Sequence, residues 1–456
     1  MTVLAAAESR GSFFEPITLG LHAPTDFSEL RKYRDDISVR GGATFVHELA
    51  HYLQFYGTIF GYNYLLATRA CSICLQDGMT SMSGVEGLTF PAATWPIDLA
   101  RVFPSQKDRD FYTQAILLNR YYNEELYGYT YNHFGRSNMP VRVDGYSVLT
   151  SPLYLELHDG TVFPFTGETL LENWAVCQET QFLSSSVPHD FANRFIEATY
   201  LSLPSQIQAR YVGIAMWFAT YDLTEIEPLL YFTLLNQPQE GFLERLGDYT
   251  LAFHTKKLLT RFRHLADLSR PTTDNEVREV LNRIAEVSGL ADPLQTLAKG
   301  RDLLKSTAHS DSWVVDWISW RIWDWFLEEP LRILTWPENL QSVLKGIPLV
   351  KLHFANRSDG ETLNVLNVAP NELKSEQVRR IKRHHDYAER LHVITGLYNQ
   401  ASLRCPHVWD RMPDLCESCK VCSGTLPDEK IGDDCPVMQR HGDLIGIAGR
   451  GISAGV

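Results

Sequence analysis

The stretch Thr44-Phe45-Val46-His47-Glu48-Leu49-Ala50-His51-Tyr52-Leu53-Gln54-Phe55-Tyr56 decides how this chain is read. Its apolar positions Phe45, Val46, Leu49, Ala50, Leu53 and Tyr56 recur at helical spacing. Gly41-Gly42 punctuates the chain just before it. An amphipathic helix of about three turns is therefore predicted. His47 and His51 lie four residues apart on it and so share one face. With Glu48 beside the first histidine, the pattern is H-E-x-x-H. Zinc bonds neutral imidazole nitrogens at about 2.0 to 2.1 Å, and only i, i+3 or i, i+4 spacing lets one helix bring two rings to one ion. Glu48 can then act as general base toward water at the metal without occupying a ligand position. The bare pattern arises by chance in roughly three chains of this composition per hundred, so its placement on a helix carries the argument. The plain alternative is a pair of histidines satisfied by solvent or core.

The rest of the chain bounds what such a site can serve. At 456 residues, 44% of them hydrophobic, the chain has ample apolar material and is long enough for two or three packed units. A formal net charge of −13 and the lack of a long Lys/Arg run argue against nucleic acid or an anionic membrane as partner, although Arg379, Arg380, Lys382 and Arg383 form a local basic patch. The opening residues MTVLAAAESRGSFFEP have no charged n-region, and Glu8 and Arg10 break their apolar run, so no signal peptide is read there and the cytoplasm is the expected location. The stretch Trp313 to Trp336 holds six of the ten tryptophans, but Asp316, Arg321, Asp324, Glu328, Glu329 and Pro330 exclude it as a bilayer span. Trp313, Trp317 and Trp320 fall on one helical face, which predicts a buried helix anchoring the C-terminal half, with a ligand-stacking platform as the alternative.

Along the chain, Phe13, Phe14, Ile17, Leu19 and Leu21 suggest one or two strands before a turn at Ala23-Pro24-Thr25-Asp26. A helix is predicted from Lys107 to Tyr127. Tyr146 to Thr150 and Leu153 to Leu157 alternate, and Asp159-Gly160 reads as a hairpin turn before Thr161 to Phe165. Helical patterns follow over Glu168 to Leu183, Asp190 to Leu201, Gln206 to Leu235, Asn275 to Ser288 and Asn371 to Tyr398. The fold class predicted is α+β, predominantly α-helical, with a small antiparallel sheet, a helical C-terminal half and a Cys-rich tail. The expected domains are 1–203, carrying the metal site, 204–400, helical, and 401–456, a metal-binding tail.

His47-Glu48-Leu49-Ala50-His51, together with Gly167-Glu168-Thr169-Leu170-Leu171-Glu172-Asn173-Trp174-Ala175 after a hairpin, resembles the zincin metallopeptidases of the gluzincin-like branch. In those proteins the third ligand is a glutamate on a later helix. The resemblance implies a zincin-like catalytic unit, with His47, His51 and Glu172 as ligands of a catalytic Zn2+ and Glu48 as base. It covers the segments around 41 to 57 and 153 to 183. The interval between His51 and Glu172 is far longer than in compact members of that branch, which implies an insertion. Glu168 and Glu179, at i−4 and i+7 of Glu172 on the same helix, compete for the ligand role or orient a histidine from behind. In such a unit the 153 to 165 hairpin is the edge expected to pair with extended substrate. Tyr200, Tyr211, Tyr221 and His189 are the candidates to stabilise an oxyanion.

Five of the eight cysteines follow residue 404. Cys416-x-x-Cys419-x-x-Cys422 with Cys435-Pro436, and Cys405 upstream, predicts a structural Zn2+, with an iron-sulfur cluster or free thiols as alternatives. His407 or His441 can replace one thiolate. Cys71-x-x-Cys74 is read as core, and His384 to His392 as the polar face of a surface helix. The function expected is a zinc-dependent peptidase acting on a peptide or protein. Two alternatives stand beside it: a non-haem iron oxygenase or peptide-modifying enzyme using the same two histidines and carboxylate, and a non-catalytic adaptor whose metals are structural.

Overall fold

In the computed structural model, the residues described are 13–15, 20–23, 39–82, 105–127, 153–157, 159–218, 226–235, 270–307, 314–340, 351–355, 362–365, 403–404 and 425–426. The fold is α+β and predominantly helical. Its centre is α1 (Val39–Gly57), the helix of the H-E-x-x-H pattern. α1 is buried on every face rather than amphipathic: each residue from Phe45 to Gly57 is buried, His47, Glu48, His51 and Gln54 included. A helix surrounded by partners has no solvated stripe, so its polar side chains must bond inside the protein. At its end, the Thr58 hydroxyl donates to the Gln54 carbonyl at 2.6 Å and accepts from Gly61 N at 3.1 Å, closing one helix and opening α2 (Ile59–Met82). A side chain at Gly61 would collide with the backbone of Gln54 and Phe55, so glycine is required at this corner.

α1 packs on α4 (Gly167–Ser186), on α2 and on α10 (Val314–Glu328); α2 packs in turn on α3 (Gln106–Tyr127). α4 also carries α6 (Ser205–Phe218) and meets α7 (Glu227–Leu235). α8 (Asp274–Ser288) and α9 (Pro293–Thr307) complete the helical half. One buried apolar cluster runs from Phe45 through Trp174 and Phe232 to Leu340, so it draws on both sides of residue 203. Each fully buried Leu or Phe in it contributes roughly 1.5 to 3 kcal/mol.

The hairpin stands where the sequence puts it, with β3 (Leu153–Glu156) antiparallel to β4 (Val162–Phe165) and Leu155 opposite Phe163. Gly160 turns it at φ 83°. Leu155, Phe163 and Phe165 point into the core, while Tyr154, Glu156, Val162 and Pro164 face out. Thr166 then caps α4, its hydroxyl accepting from Thr169 N at 3.3 Å. A second sheet has the order β1-β2-β5-β6, built from β1 (Phe13–Glu15), β2 (Gly20–Ala23), β5 (Lys351–Ala355) and β6 (Thr362–Val365). β2 and β5 pair in parallel, joining the start of the chain to residues 351–355, which local patterning did not mark as strand. β7 (Leu403–Arg404) pairs with β8 (Thr425–Leu426).

Two helical expectations change. The pattern from Gln206 to Leu235 is two helices, α6 and α7, and Pro228 sits in the first turn of the second, where its missing N–H is harmless. The Asp190 to Leu201 pattern is α5 (His189–Ile196) followed by a π turn, Glu197–Leu201, closed by an i→i−5 bond from Ser202 N to Glu197 O at 3.1 Å. In α10 the fully buried face is Val315, Ile318, Ile322 and Phe326 with Trp323, not the tryptophan stripe. Trp317 and Trp320 are half-buried, and Trp320 lies under Lys305 and Arg321, whose charged ends stand over its face while staying toward water. Trp313, Tyr146 to Thr150, Tyr221, the segment His384 to His392, and Cys405, Cys416, Cys419, Cys422 and Cys435 with His407 and His441 lie outside the described residues. No helix among the described residues is long and apolar enough to cross a membrane.

Candidate metal centre

α1 and α4 run against each other so that His47 and His51 meet Glu172. Glu172 Oε2 stands 3.1 Å from His47 Nε2 and 3.6 Å from His51 Nε2. The two imidazole rings are 5.0 Å apart at an interplanar angle of 81°. Donors bound to one tetrahedral ion at about 2.0 to 2.1 Å stand about 3.3 Å from each other, which the two distances bracket. The 3.6 Å separation is too long for a good hydrogen bond and is ordinary for two ligands of one ion. These three buried residues could hold a metal ion, and they are the only such group found among the described residues.

The far side of each ring fixes which nitrogen is offered. Gln54 Nε2 donates to the Leu171 carbonyl at 2.7 Å, so its Oε1, 2.8 Å from His51 Nδ1, is an acceptor and Nδ1 carries the proton. His47 Nδ1 lies 3.2 Å from Glu179 Oε2, a carboxylate that likewise accepts. Both Nε2 atoms are therefore turned to Glu172, the arrangement by which outer partners orient metal-binding histidines. Gln54 was not marked by sequence reasoning, although its position at i+3 from His51 was a signal within reach.

Glu172 is oriented from its other oxygen. Arg210 Nη2 lies 3.3 Å from Glu172 Oε1 and also pairs with Glu168. The side chain of Asn173 anchors that arginine's backbone: Nδ2 donates to Thr169 O at 2.7 Å and to Arg210 O at 2.9 Å, and Oδ1 accepts from Ile214 N at 3.1 Å. The three glutamates of α4 thus separate. Glu172 faces both histidines, Glu179 lies behind His47, and Glu168 is engaged by Arg210. No local pattern announces Arg210, because it comes from a separate helix.

The electrostatics follow from burial. Burial alone would raise the Glu172 carboxyl, but the imidazoles and Arg210 outweigh it and hold the group well below the usual carboxylate range. For His47, burial opposes the charged ring, yet hydrogen bonds and charge from Glu172 and Glu179 push its pKa up to about 10. Burial, with Glu172 nearby, lifts Glu168 to about 7 against the pull of Arg210.

Glu48 is 7% exposed, next to His47 on α1. Tyr211 lies against the His47 ring, centroids 6.2 Å apart, whereas the Tyr200 hydroxyl reaches Glu179 on the Nδ1 side of His47. His189 opens α5. Cys71 is a buried thiol of α2. No protein-family model matches the chain, and comparison with curated proteins and with solved structures found no match.

Proposed function

We propose that this protein is a zinc-dependent hydrolase of peptide or amide bonds. The observation that supports it best is the joint orientation of the donors: both histidines turn Nε2 toward one oxygen of Glu172 while Gln54 and Glu179 hold their Nδ1 atoms away. Two neutral nitrogens and one carboxylate, with Glu48 buried beside the first histidine, suit zinc with an open position. The H-E-x-x-H helix, the hairpin and the Glu172 helix occur in the order that the resemblance to gluzincin-like metallopeptidases implies.

When bound, zinc supplies Lewis-acid polarisation of the scissile carbonyl and makes water at the site more acidic. In this reading Glu48 accepts the proton of the attacking water and delivers it to the leaving amine. Tyr211 is the tyrosine assigned to the developing oxyanion, because Tyr200 is directed to Glu179. The outward edge of the β3–β4 hairpin, adjacent to the start of α4, is the surface assigned to extended substrate.

Purified protein is expected to contain one zinc per site and to cleave a mixed peptide library. Glu48→Gln should keep the zinc and lose about 10² to 10⁴ in turnover, the usual contribution of a general base. Iron in place of zinc, with an absorption band in the visible, would turn the same triad into an oxygenase site. A Glu48→Gln variant that matches wild type wherever His47→Ala fails would make the site structural.

A further inference from the structure

Tyr200 sits in the π turn Glu197–Leu201 and is the one buried residue of that turn, while Leu201 beside it is 46% exposed. A π turn adds a residue to a helical register, and such turns persist where the re-aimed side chain has a use. Here the added residue directs a tyrosine into the protein. Its hydroxyl donates to Glu179 Oε2, the same oxygen that faces His47 Nδ1, and lies 3.4 Å from that nitrogen.

The hydroxyl has a single proton, and the geometry commits it to Glu179. His47 Nδ1 therefore keeps its own proton, because Glu179 can only accept and the Tyr200 hydroxyl, 3.4 Å from Nδ1, is turned to that carboxylate. Glu179 thus faces two donors on one oxygen. We infer that Tyr200 is a positioning residue for the metal centre, acting through Glu179 to hold His47 with Nδ1 protonated and Nε2 offered to the ion. This rests on the reading of His47, His51 and Glu172 as metal ligands. The Tyr200 hydroxyl is bonded to Glu179 and not to a proposed ligand atom.

The test is zinc affinity of the full chain, measured by competition with a chromophoric chelator. Tyr200→Phe removes only the hydroxyl and should weaken Zn2+ binding about tenfold, the lower end of what outer partners contribute. Melting of the metal-free protein should stay within about 2 °C of wild type. Glu179→Gln should weaken binding by about 10 to 100-fold. Adding Tyr200→Phe to it should change nothing further, since one route serves both residues. The Co2+-loaded protein should show a shifted visible spectrum in each single variant. Unchanged affinity in Tyr200→Phe, or effects that add in the double variant, overturn the inference. Should Tyr200→Phe fail to fold, the 15N resonances of His47 in zinc-loaded wild type decide: a protonated Nδ1 supports it and a bare Nδ1 overturns it. Wild type that takes up no Zn2+ removes the metal-site reading itself, a result distinct from wild type that binds zinc and a Tyr200→Phe variant that binds it equally well.

Discussion

Two buried carboxylates lie on opposite sides of α4, and they are satisfied by different means. Glu172, on the α1 side, faces two imidazoles and a guanidinium. Glu227, on α7 and fully buried, receives the side-chain amides of Gln178 and Gln181 from the other face of α4. A carboxylate removed from water needs donors or positive charge. Around Glu227 neutral N–H groups take part in that task and complete a bond between two helices. Around Glu172 the two imidazoles are lone-pair carriers once deprotonated, so they can exchange protons for a cation while Arg210 stays a charged donor. A buried acid is thus a site only when its partners can also ligate.

That contrast breaks first at Glu172. Glu172→Ala should reduce Zn2+ affinity by far more than the roughly 10 to 100-fold typical of outer partners, down to loss of stoichiometric zinc after dialysis. Metal analysis checks this, and retained zinc would move the third ligand elsewhere. Next in size is Glu227→Ala. It leaves two buried amides without that acceptor at about 1 to 3 kcal/mol each, so urea unfolding should report a loss of about 2 to 6 kcal/mol while the zinc content of the folded protein is unchanged. A metal loss there would show that the two clusters are not independent.

The smallest effect sharpens the comparison by pH. His47, with its pKa raised to about 10, is protonated at neutral pH in the metal-free protein. Zinc must displace that proton, so the apparent affinity should rise about tenfold per pH unit until the pH approaches that value. Calorimetry in two buffers of different ionisation enthalpy measures the proton released. Binding without proton release would mean that His47 is already neutral.

The legible and illegible parts of this centre divide along the same helix. His47, Glu48 and His51 were readable because the ligand spacing is a property of one helix, and the hairpin before α4 was readable from alternation and Asp159-Gly160. Glu172, Glu168 and Glu179 share a helix; the resemblance put Glu172 first, but spacing alone could not rank them, since the ranking depends on which face α1 covers. Gln54 sat within the decisive stretch but looked like any polar residue of a helix. Arg210, the π turn at Tyr200 and the parallel pairing of β2 with β5 left no local trace.

By itself the sequence determined part of the local geometry: that the stretch around His47 and the one after Gly167 coil, that Asp159-Gly160 turns the hairpin, and that two imidazoles share a face, whereas the helices α2 and α9 were not marked. The features it did mark depend on backbone preferences and on side-chain spacing within one element. Only the tertiary structure decided that α1 is buried all round, that Glu172 is the carboxylate both histidines face, and that Glu179 and Gln54 stand behind them. Those facts depend on how separate helices dock, and docking is set by the fit of whole surfaces rather than by any one stretch of chain.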